Sequence, residues 1–205
     1  MEQVFLPFYR RKWKRSTALS NQERISFHLI SEFGKRGINR FNRDELQEFL
    51  DRKAAKGLSY SVVSHLRWDL KQILGLAVEE GHISRNPASL LFVPKAARRA
   101  EKLVMNLAEV KKVFSLLEQR ERLIAKLAVL AGMRPGEIFG LTWGRLQDEY
   151  AEIRQRVYRG EVDTPKTTNS VREVALPDGL LAEIEAWRKV SIDTQLKAGF
   201  FHLRS

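Results

Sequence analysis

The sequence contains no cysteine among its 205 residues, which excludes disulfide bonds and any metal site built on thiolates. It also lacks a run of about 18 apolar residues, the length that a membrane-spanning helix requires. Residues 1–15 place apolar side chains before the basic ones, and no small-residue cleavage site follows, an order that does not fit a secretory signal. We therefore expect a cytoplasmic protein with no membrane partner.

Histidine is scarce, and its four occurrences are scattered without metal-ligand spacing: His28, His65, His82 and His202. The glycines around Met133 lack the spacing and the Lys-Ser/Thr pair of a phosphate-cradling loop. The sequence therefore predicts neither a metal ion nor another cofactor.

Acidic residues are too few to balance the basic ones. The chain has 36 Lys and Arg against 25 Asp and Glu, a net charge of +11. Residues 1–100 hold 19 basic and 10 acidic side chains, whereas residues 101–205 hold 17 and 15. This excess favours a polyanionic partner for the first half, of which nucleic acid is the commonest. The alternative is that Lys and Arg only solubilise the surface.

The first 90 residues read as helices. Apolar side chains recur at helical spacing over about residues 18–34, 44–55 and 60–80. Ser59 precedes the third segment and is a suitable N-cap for it. On this long helix we expect Trp68 to pack in the core.

A boundary is expected after the first helices. Residues 91–105 contain Pro94 and a run of basic side chains, which indicates a linker. Asn106 then provides a good N-cap for the next helix. The predicted domains are thus residues 1–90, a linker over 91–105 and a second domain over 106–205.

The second half mixes helical and strand patterns. Helices are predicted over 107–117, 123–131 and 135–141 and from 178 onward, and strands over 152–158 and 171–176. The 123–131 helix is almost entirely apolar and is expected to be buried. The fold class is therefore mainly α with a small antiparallel β-sheet.

One string, AGMRPGEIFGLTW over residues 131–143, combines groups suited to an anion. It places Arg134 at the start of a short helix, and Glu137 lies three residues on, on the same helical face. An arginine there can hold a phosphate through two hydrogen bonds, and the carboxylate can steady it. The residues alone leave open a purely structural Arg–Glu pair.

This string resembles the first signature box of the tyrosine recombinases, the phage-integrase family. Residues 164–177, TPKTTNSVREVALP, resemble the β-hairpin of that family that carries a lysine. Residues 58–87 and 12–17 are similar to parts of its helical core-binding domain. The resemblance implies a helical, SAM-like core-binding domain followed by part of an α+β recombinase catalytic domain.

The resemblance also implies roles for individual residues. Arg134 would grip the scissile phosphate with Glu137 in support, and Lys166 would act as general acid for the leaving 5′ oxygen. The partner would be double-stranded DNA, and phosphate contacts chiefly set affinity and salt dependence. The residues expected to contact DNA are Arg10, Arg11, Lys12, Lys14, Arg15, Arg67, Lys71, Lys95, Arg98, Arg99 and Arg172.

Two further parts of the family's site have no counterpart here, which implies a C-terminally truncated chain. The family places a His-x-x-Arg box and then a tyrosine nucleophile after the lysine, but only 39 residues follow Lys166. His202 and Arg204 are two residues apart, so they point to different sides of a helix. All four tyrosines precede Lys166: Tyr9, Tyr60, Tyr150 and Tyr158.

Two readings of the function therefore stay open. The chain is either a DNA integration and recombination protein that cannot cleave DNA alone, or a non-catalytic accessory or repressor derived from an integrase. Retention of Arg134, Glu137 and Lys166 favours the first, because a pure binder needs no general acid. Full-length recombinase protomers are a candidate partner, and whether the chain is an enzyme stays undecided.

Overall fold

The computed structural model describes the backbone of residues 1–163 and 171–198, and the side chains of these residues up to 191. The chain forms two compact units, Met1–Leu103 and Val104–Ser205. Both are mainly helical in their described parts, and the second contains small antiparallel sheets, so the predicted fold class is confirmed. None of the helices that could be searched is long and apolar enough to cross a membrane.

The first unit consists of helices around one core. They are α1 (Phe5–Arg10), α2 (Arg15–Arg24), α3 (Ser31–Phe33), α4 (Arg43–Ala55) and α5 (Tyr60–Glu79), with a π-helical segment at Ile25–Ile30 and a 3₁₀ turn at Ile38–Arg40. The helix predicted over residues 18–34 is therefore present but begins earlier and includes the π-helical turn. α1 was not predicted, because six residues are too few for a visible helical period.

Helix α5 supplies much of the first core. The Ser59 side chain accepts a hydrogen bond from the Val62 backbone at 3.4 Å, as expected of its N-cap. Leu66 and Leu70 are buried on one face, and each such side chain contributes about 1.5–3 kcal/mol of hydrophobic free energy. The prediction for Trp68 was wrong, since its side chain is 53% exposed. Position 68 lies two residues from each of these leucines and therefore faces the opposite side of the helix.

A buried ion pair joins α2 to α5. The Arg24 guanidinium donates to both oxygens of Asp69, at 2.6 and 2.9 Å, and Asp69 is almost fully buried. Burial raises the pKa of Asp69, and the hydrogen bond from Arg24 opposes that rise. Because an unpaired carboxylate at this depth is costly, the pair fixes how the two helices pack.

The segment predicted as a linker is in large part packed on the first unit. Leu91 and Ala97 are buried in its core. The Tyr60 backbone N–H donates to the Arg98 carbonyl at 2.9 Å. These contacts bring the segment into the first unit, and the boundary lies between Leu103 and Val104 instead of extending over all of 91–105.

The second unit has helices α6 (Leu107–Leu116), α7 (Gln119–Leu130), α8 (Pro135–Gly140) and α9 (Asp178–Ala198), a 3₁₀ turn at Trp143–Arg145, and strands β1 (Tyr150–Ile153), β2 (Arg156–Tyr158), β3 (Glu161–Asp163) and β4 (Arg172–Ala175). Asn106 caps α6 as expected. Its side chain accepts from the Glu109 backbone, and the Glu109 carboxylate accepts from the Asn106 backbone. These two hydrogen bonds satisfy donors that the first helical turn leaves free.

The single strand predicted over 152–158 proves to be two strands in different sheets. β1 pairs with β4, with Ile153 opposite Arg172, while β2 pairs with β3 in a separate hairpin. The change of sheet falls at Gln155, whose side chain donates to the Gly140 carbonyl at 2.8 Å. The change from one sheet to the other explains why apolar and polar residues alternate irregularly over residues 152–158.

Helix α7 is only half buried, although its apolar sequence predicted full burial. Leu123 and Leu127 lie in the core of the second unit, at the i, i+4 spacing of one helical face. Val129 and Leu130 are 54% and 50% exposed. Val129 lies two positions after Leu127, on the opposite side of the helix. The apolar composition of the helix therefore predicted more burial than the structure shows.

Two glycines let α8 approach β2 closely. A Cβ built at Gly140 would lie 2.9 Å from both the Arg156 Cα and the Gln155 carbonyl oxygen, and one at Gly136 would lie 3.0 Å from the Val157 carbonyl oxygen. These neighbours are backbone atoms, which cannot swing aside as a flexible side chain can. The position of α8, and of the residues at its start, thus depends on glycine.

We expect Gly140→Ala to destabilise the second unit by about 1–3 kcal/mol, the range for overpacking a tight contact. Urea unfolding followed by tryptophan fluorescence measures the effect. Gly144→Ala is the matched control, because a Cβ there meets no atom within 4 Å. Equal stability of the two variants would show that α8 does not require the close approach.

Candidate functional site

The start of α8 displays Arg134. Gly132 adopts a φ of +62°, in the left-handed region that favours glycine, and redirects the chain after α7. Pro135 begins α8, where its missing N–H and fixed φ suit the first helical position. Arg134 lies between them in an extended conformation, so its side chain projects from the entrance of the helix.

Glu137 lies in the first turn of α8, is 5% exposed and accepts four hydrogen bonds. Arg134 donates to it twice, from Nη1 to Oε1 and from the backbone N–H to Oε2, both at 2.9 Å. Arg172 on β4 donates from Nη1 to Oε1 and from Nη2 to Oε2, also at 2.9 Å. A carboxylate has about four lone-pair sites, so this one is saturated. We call these residues the Arg134–Glu137–Arg172 cluster.

The pKa of Glu137 shows how strongly the two arginines stabilise its charge. Burial by itself would raise this pKa, but the hydrogen bonds from Arg172 and from Arg134 outweigh burial and lower it to about 2. The same pairing raises the pKa of Arg172. Glu137 is therefore ionised at neutral pH, and one carboxylate beside two guanidinium groups gives the Arg134–Glu137–Arg172 cluster one net positive charge.

Arg134 is the member of the cluster that faces solvent. Its side chain is 68% exposed, against 30% for Arg172 and 6% for Glu137. Only Nη1 of its guanidinium makes a hydrogen bond within the described part of the chain. Nε and Nη2 have no hydrogen-bond partner among the described residues, and a guanidinium with such donors in solvent suits an oxyanion such as a phosphate.

Arg172 was predicted to contact DNA, but the structure directs its guanidinium elsewhere. Both terminal nitrogens are used on Glu137, and the side chain is largely covered. It therefore supports the site from β4 instead of presenting a forked donor to a ligand.

Lys166, the predicted general acid, lies in residues 164–170, outside the described residues. The segment that carries it follows β3 and precedes β4 in the chain. His202 and Arg204 also lie outside the described part. That Lys166 joins Arg134 in one site therefore stays a prediction.

Most basic residues predicted to contact DNA from the first unit are exposed: Arg10, Arg11, Lys12, Lys14, Arg15, Lys95, Arg98 and Arg99. Arg99 stacks on the Tyr60 ring, with its Cζ 4.5 Å from the ring centroid. Arg67 differs, since it is half-buried and its Nη1 donates to the Leu91 carbonyl at 3.2 Å. Lys71 is likewise half-buried, so α5 presents less positive charge than expected.

No cluster of three His, Cys, Asp or Glu able to hold a metal ion occurs among the residues that the structure describes.

The sequence identified Arg134 and Glu137 as site residues, but it did not show that Arg172 pairs with Glu137. A local signal for tight packing was present in the spacing of Gly136 and Gly140, which lie four residues apart and so on one helical face.

The pH dependence of stability tests the Glu137 pairing. Folding lowers its pKa from 4.5 to about 2, so its contribution is complete above about pH 4.5 and is lost as the pH falls through about 2. The shift corresponds to about 3 kcal/mol. We expect Glu137→Gln to lower the free energy of unfolding by roughly this amount at pH 7 and by much less near pH 2.

Urea unfolding between these pH values measures the difference. Glu173→Gln is the matched control, because Glu173 is exposed on β4 and is expected to change stability little at either pH. A Glu137→Gln effect that did not depend on pH would contradict the pairing.

Comparison with known proteins gave sequence relatives but no matching family model. A tyrosine recombinase XerC-like protein of Caldanaerobacter subterraneus subsp. tengcongensis is 27% identical over 180 residues, which cover 78% of this chain and 46% of the relative. The ICEBs1 integrase of Bacillus subtilis is 29% identical over 189 residues, covering 87% of this chain and 50% of that protein. The chain spans about half the length of these relatives.

Solved structures show the same fold. The Tn1549 transposon integrase in complex with transposon right end DNA has a TM-score of 0.75 at 20% identity, covering 91% of this chain and 64% of that one. A lambda integrase dimer bound to a COC′ core site has a TM-score of 0.64 at 18% identity, covering 84% and 59%. Sequence and fold agree with the resemblance seen in the motifs: in sequence the chain is similar to a tyrosine recombinase and an integrase, and in fold it is similar to solved integrases.

Proposed function

We propose that this chain binds double-stranded DNA as an integrase-type protein and that Arg134 contacts a backbone phosphate. The observation that carries the proposal is the exposed Arg134 guanidinium, held by a buried carboxylate that has no acceptor capacity to spare. A fixed cation of this kind binds an oxyanion with little loss of side-chain freedom. The solved structures of similar fold were determined with DNA bound, which supports the choice of anion.

The charge of the first unit supports the same partner. Exposed basic side chains cluster in the sequence at residues 10–15 and 95–99. Such side chains bind nucleic acid mainly through phosphates, which makes the affinity salt-dependent. We propose that residues 1–90 act as the helical core-binding domain and that the second unit presents Arg134. Lys166 occupies the position that the family resemblance gives to the general acid.

DNA cleavage is not part of the proposal for these 205 residues alone. The covalent route that the family resemblance implies needs a tyrosine nucleophile after the lysine box, and Tyr158 is the last tyrosine in the sequence. It also needs a second arginine box to stabilise charge on the phosphate. The chain is thus proposed to bind the duplex without forming a phosphotyrosine bond, and full-length recombinase protomers stay a predicted partner.

Salt-dependent binding is the first expected outcome. We expect Arg134→Ala to weaken duplex binding about tenfold, the loss typical of one charge-assisted hydrogen-bonded contact. The slope of log affinity against log salt should fall by about 0.9, because one phosphate contact is lost. Fluorescence anisotropy of a labelled duplex across a salt series measures both.

Lys111→Ala is the control for charge alone, since Lys111 is exposed on α6 and is not a proposed contact. The DNA affinity of the Lys111→Ala variant and the salt dependence of that affinity are expected to stay close to those of the unsubstituted chain. An unsubstituted chain that bound duplex DNA without salt dependence, or an Arg134→Ala variant with an unchanged slope, would refute the proposal.

The absence of covalent chemistry is tested separately. We expect no covalent adduct when the 205-residue chain is incubated with a nicked duplex from which a cleaved strand diffuses away. Denaturing gel electrophoresis of the labelled DNA detects any protein-linked strand. A trapped adduct would show that one of the four tyrosines is a nucleophile and would overturn the assignment of the chain as a binder.

A further inference from the structure

Arg172 stands out because its contacts connect β4 to the start of α8. Its two terminal nitrogens meet the two oxygens of Glu137 in parallel, each at 2.9 Å. Glu137 in turn holds both the backbone N–H and Nη1 of Arg134. A chain of hydrogen bonds therefore runs from the sheet, through one buried carboxylate, to the exposed guanidinium.

A second Arg–Glu–Arg group in the same unit shows what this geometry adds. Glu152 on β1 also lies between two arginines, but Arg145 and Arg154 both reach the same oxygen, at 2.9 and 3.2 Å. Each makes a single contact, and both are about half exposed. Among the described residues neither arginine reaches the other carboxylate oxygen, so these two contacts do not fix the carboxylate plane. Around Glu137, by contrast, two parallel bonds define the plane in which the carboxylate meets Arg134.

We propose that Arg172 is a positioning residue: it orients Glu137 so that Arg134 is held ready for a phosphate, and it does not itself bind the phosphate. This inference rests on the proposed DNA-binding function and assigns Arg172 a role in that same site. It replaces the direct DNA contact that the sequence suggested for this residue.

Lysine cannot take over this role. It carries the same charge but is a compact ammonium, without the planar pair of donors that matches a carboxylate. Arg172→Lys therefore removes the parallel bonds while the net charge of the Arg134–Glu137–Arg172 cluster stays the same. Any loss of DNA affinity in this variant reports on geometry instead of on long-range attraction.

A double-mutant cycle with Arg134 separates the possible roles. We expect Arg172→Lys to weaken duplex binding roughly threefold to tenfold when Arg134 is present, because an effect that acts through Arg134 cannot exceed the roughly tenfold loss expected of Arg134→Ala. In the Arg134→Ala background the same change should have no further effect on affinity or salt slope. Arg154→Lys is the matched control and is expected to leave binding unchanged in both backgrounds.

Each alternative role for Arg172 predicts a different pattern of DNA affinities in the double-mutant cycle. If Arg172 bound a phosphate itself, or served only the stability of the fold, its replacement would weaken binding in both backgrounds. Either result would overturn the inference, as would full affinity of Arg172→Lys with Arg134 present. Thermal unfolding of each variant identifies losses that come from unfolding.

A measurement without DNA tests the positioning directly. ¹⁵N relaxation of the Arg134 Nε–H group reports the order of its guanidinium. We expect a lower order parameter in Arg172→Lys and no change in Arg154→Lys, and an unchanged value in Arg172→Lys would contradict positioning. If the unsubstituted chain failed to bind DNA while this order parameter still fell, the proposed function would fail and the positioning role of Arg172 would stand.

Discussion

The hydrogen-bonded ion pairs of the buried Glu137 carboxylate with Arg134 and Arg172 organise the second unit around the start of α8. This carboxylate ties together the start of α8, the backbone of Arg134 and strand β4. A buried charge is tolerated only when it is paired and hydrogen-bonded, and here four donors meet that condition. The same contacts leave one guanidinium exposed to solvent, so the group that stabilises the unit also shapes the surface that we propose binds a phosphate.

Close backbone packing makes this arrangement possible. Glycines at 136 and 140 bring α8 against β2, which sets where the first turn of the helix lies. The buried face of α7 and the β1–β4 pair support it from the core of the second unit. The first unit is organised by the same physics, with the Arg24–Asp69 pair joining two helices around an apolar core. In both units a buried, fully paired carboxylate fixes the relative position of two elements.

The motifs predicted Arg134 and Glu137 correctly as a pair, because residues three apart on a helix are neighbours whatever surrounds them. The sequence singled out Arg172 as a DNA contact but did not predict its pairing with Glu137, because Glu137 lies 35 residues away and the two meet only through the packing of β4. Trp68 and the outer face of α7 were assigned to the core from their apolar character alone. Hydrophobic composition does not say which face of a helix is buried, whereas the spacing of its apolar residues does. Trp68 and Val129 each lie two positions from a buried leucine and therefore face the other side of their helices.

Most of the longer helices, their caps at Ser59 and Asn106, the excess of positive charge and the likeness to an integrase follow from local spacing or composition and were readable in the sequence. Long-range packing divides the predicted strand over 152–158 between two sheets and brings Leu91 and Ala97 into the core of the first unit. It also decides that Arg172 turns inward to Glu137 while Arg134 stays exposed. These outcomes depend on contacts between residues far apart in the chain, which no local pattern records.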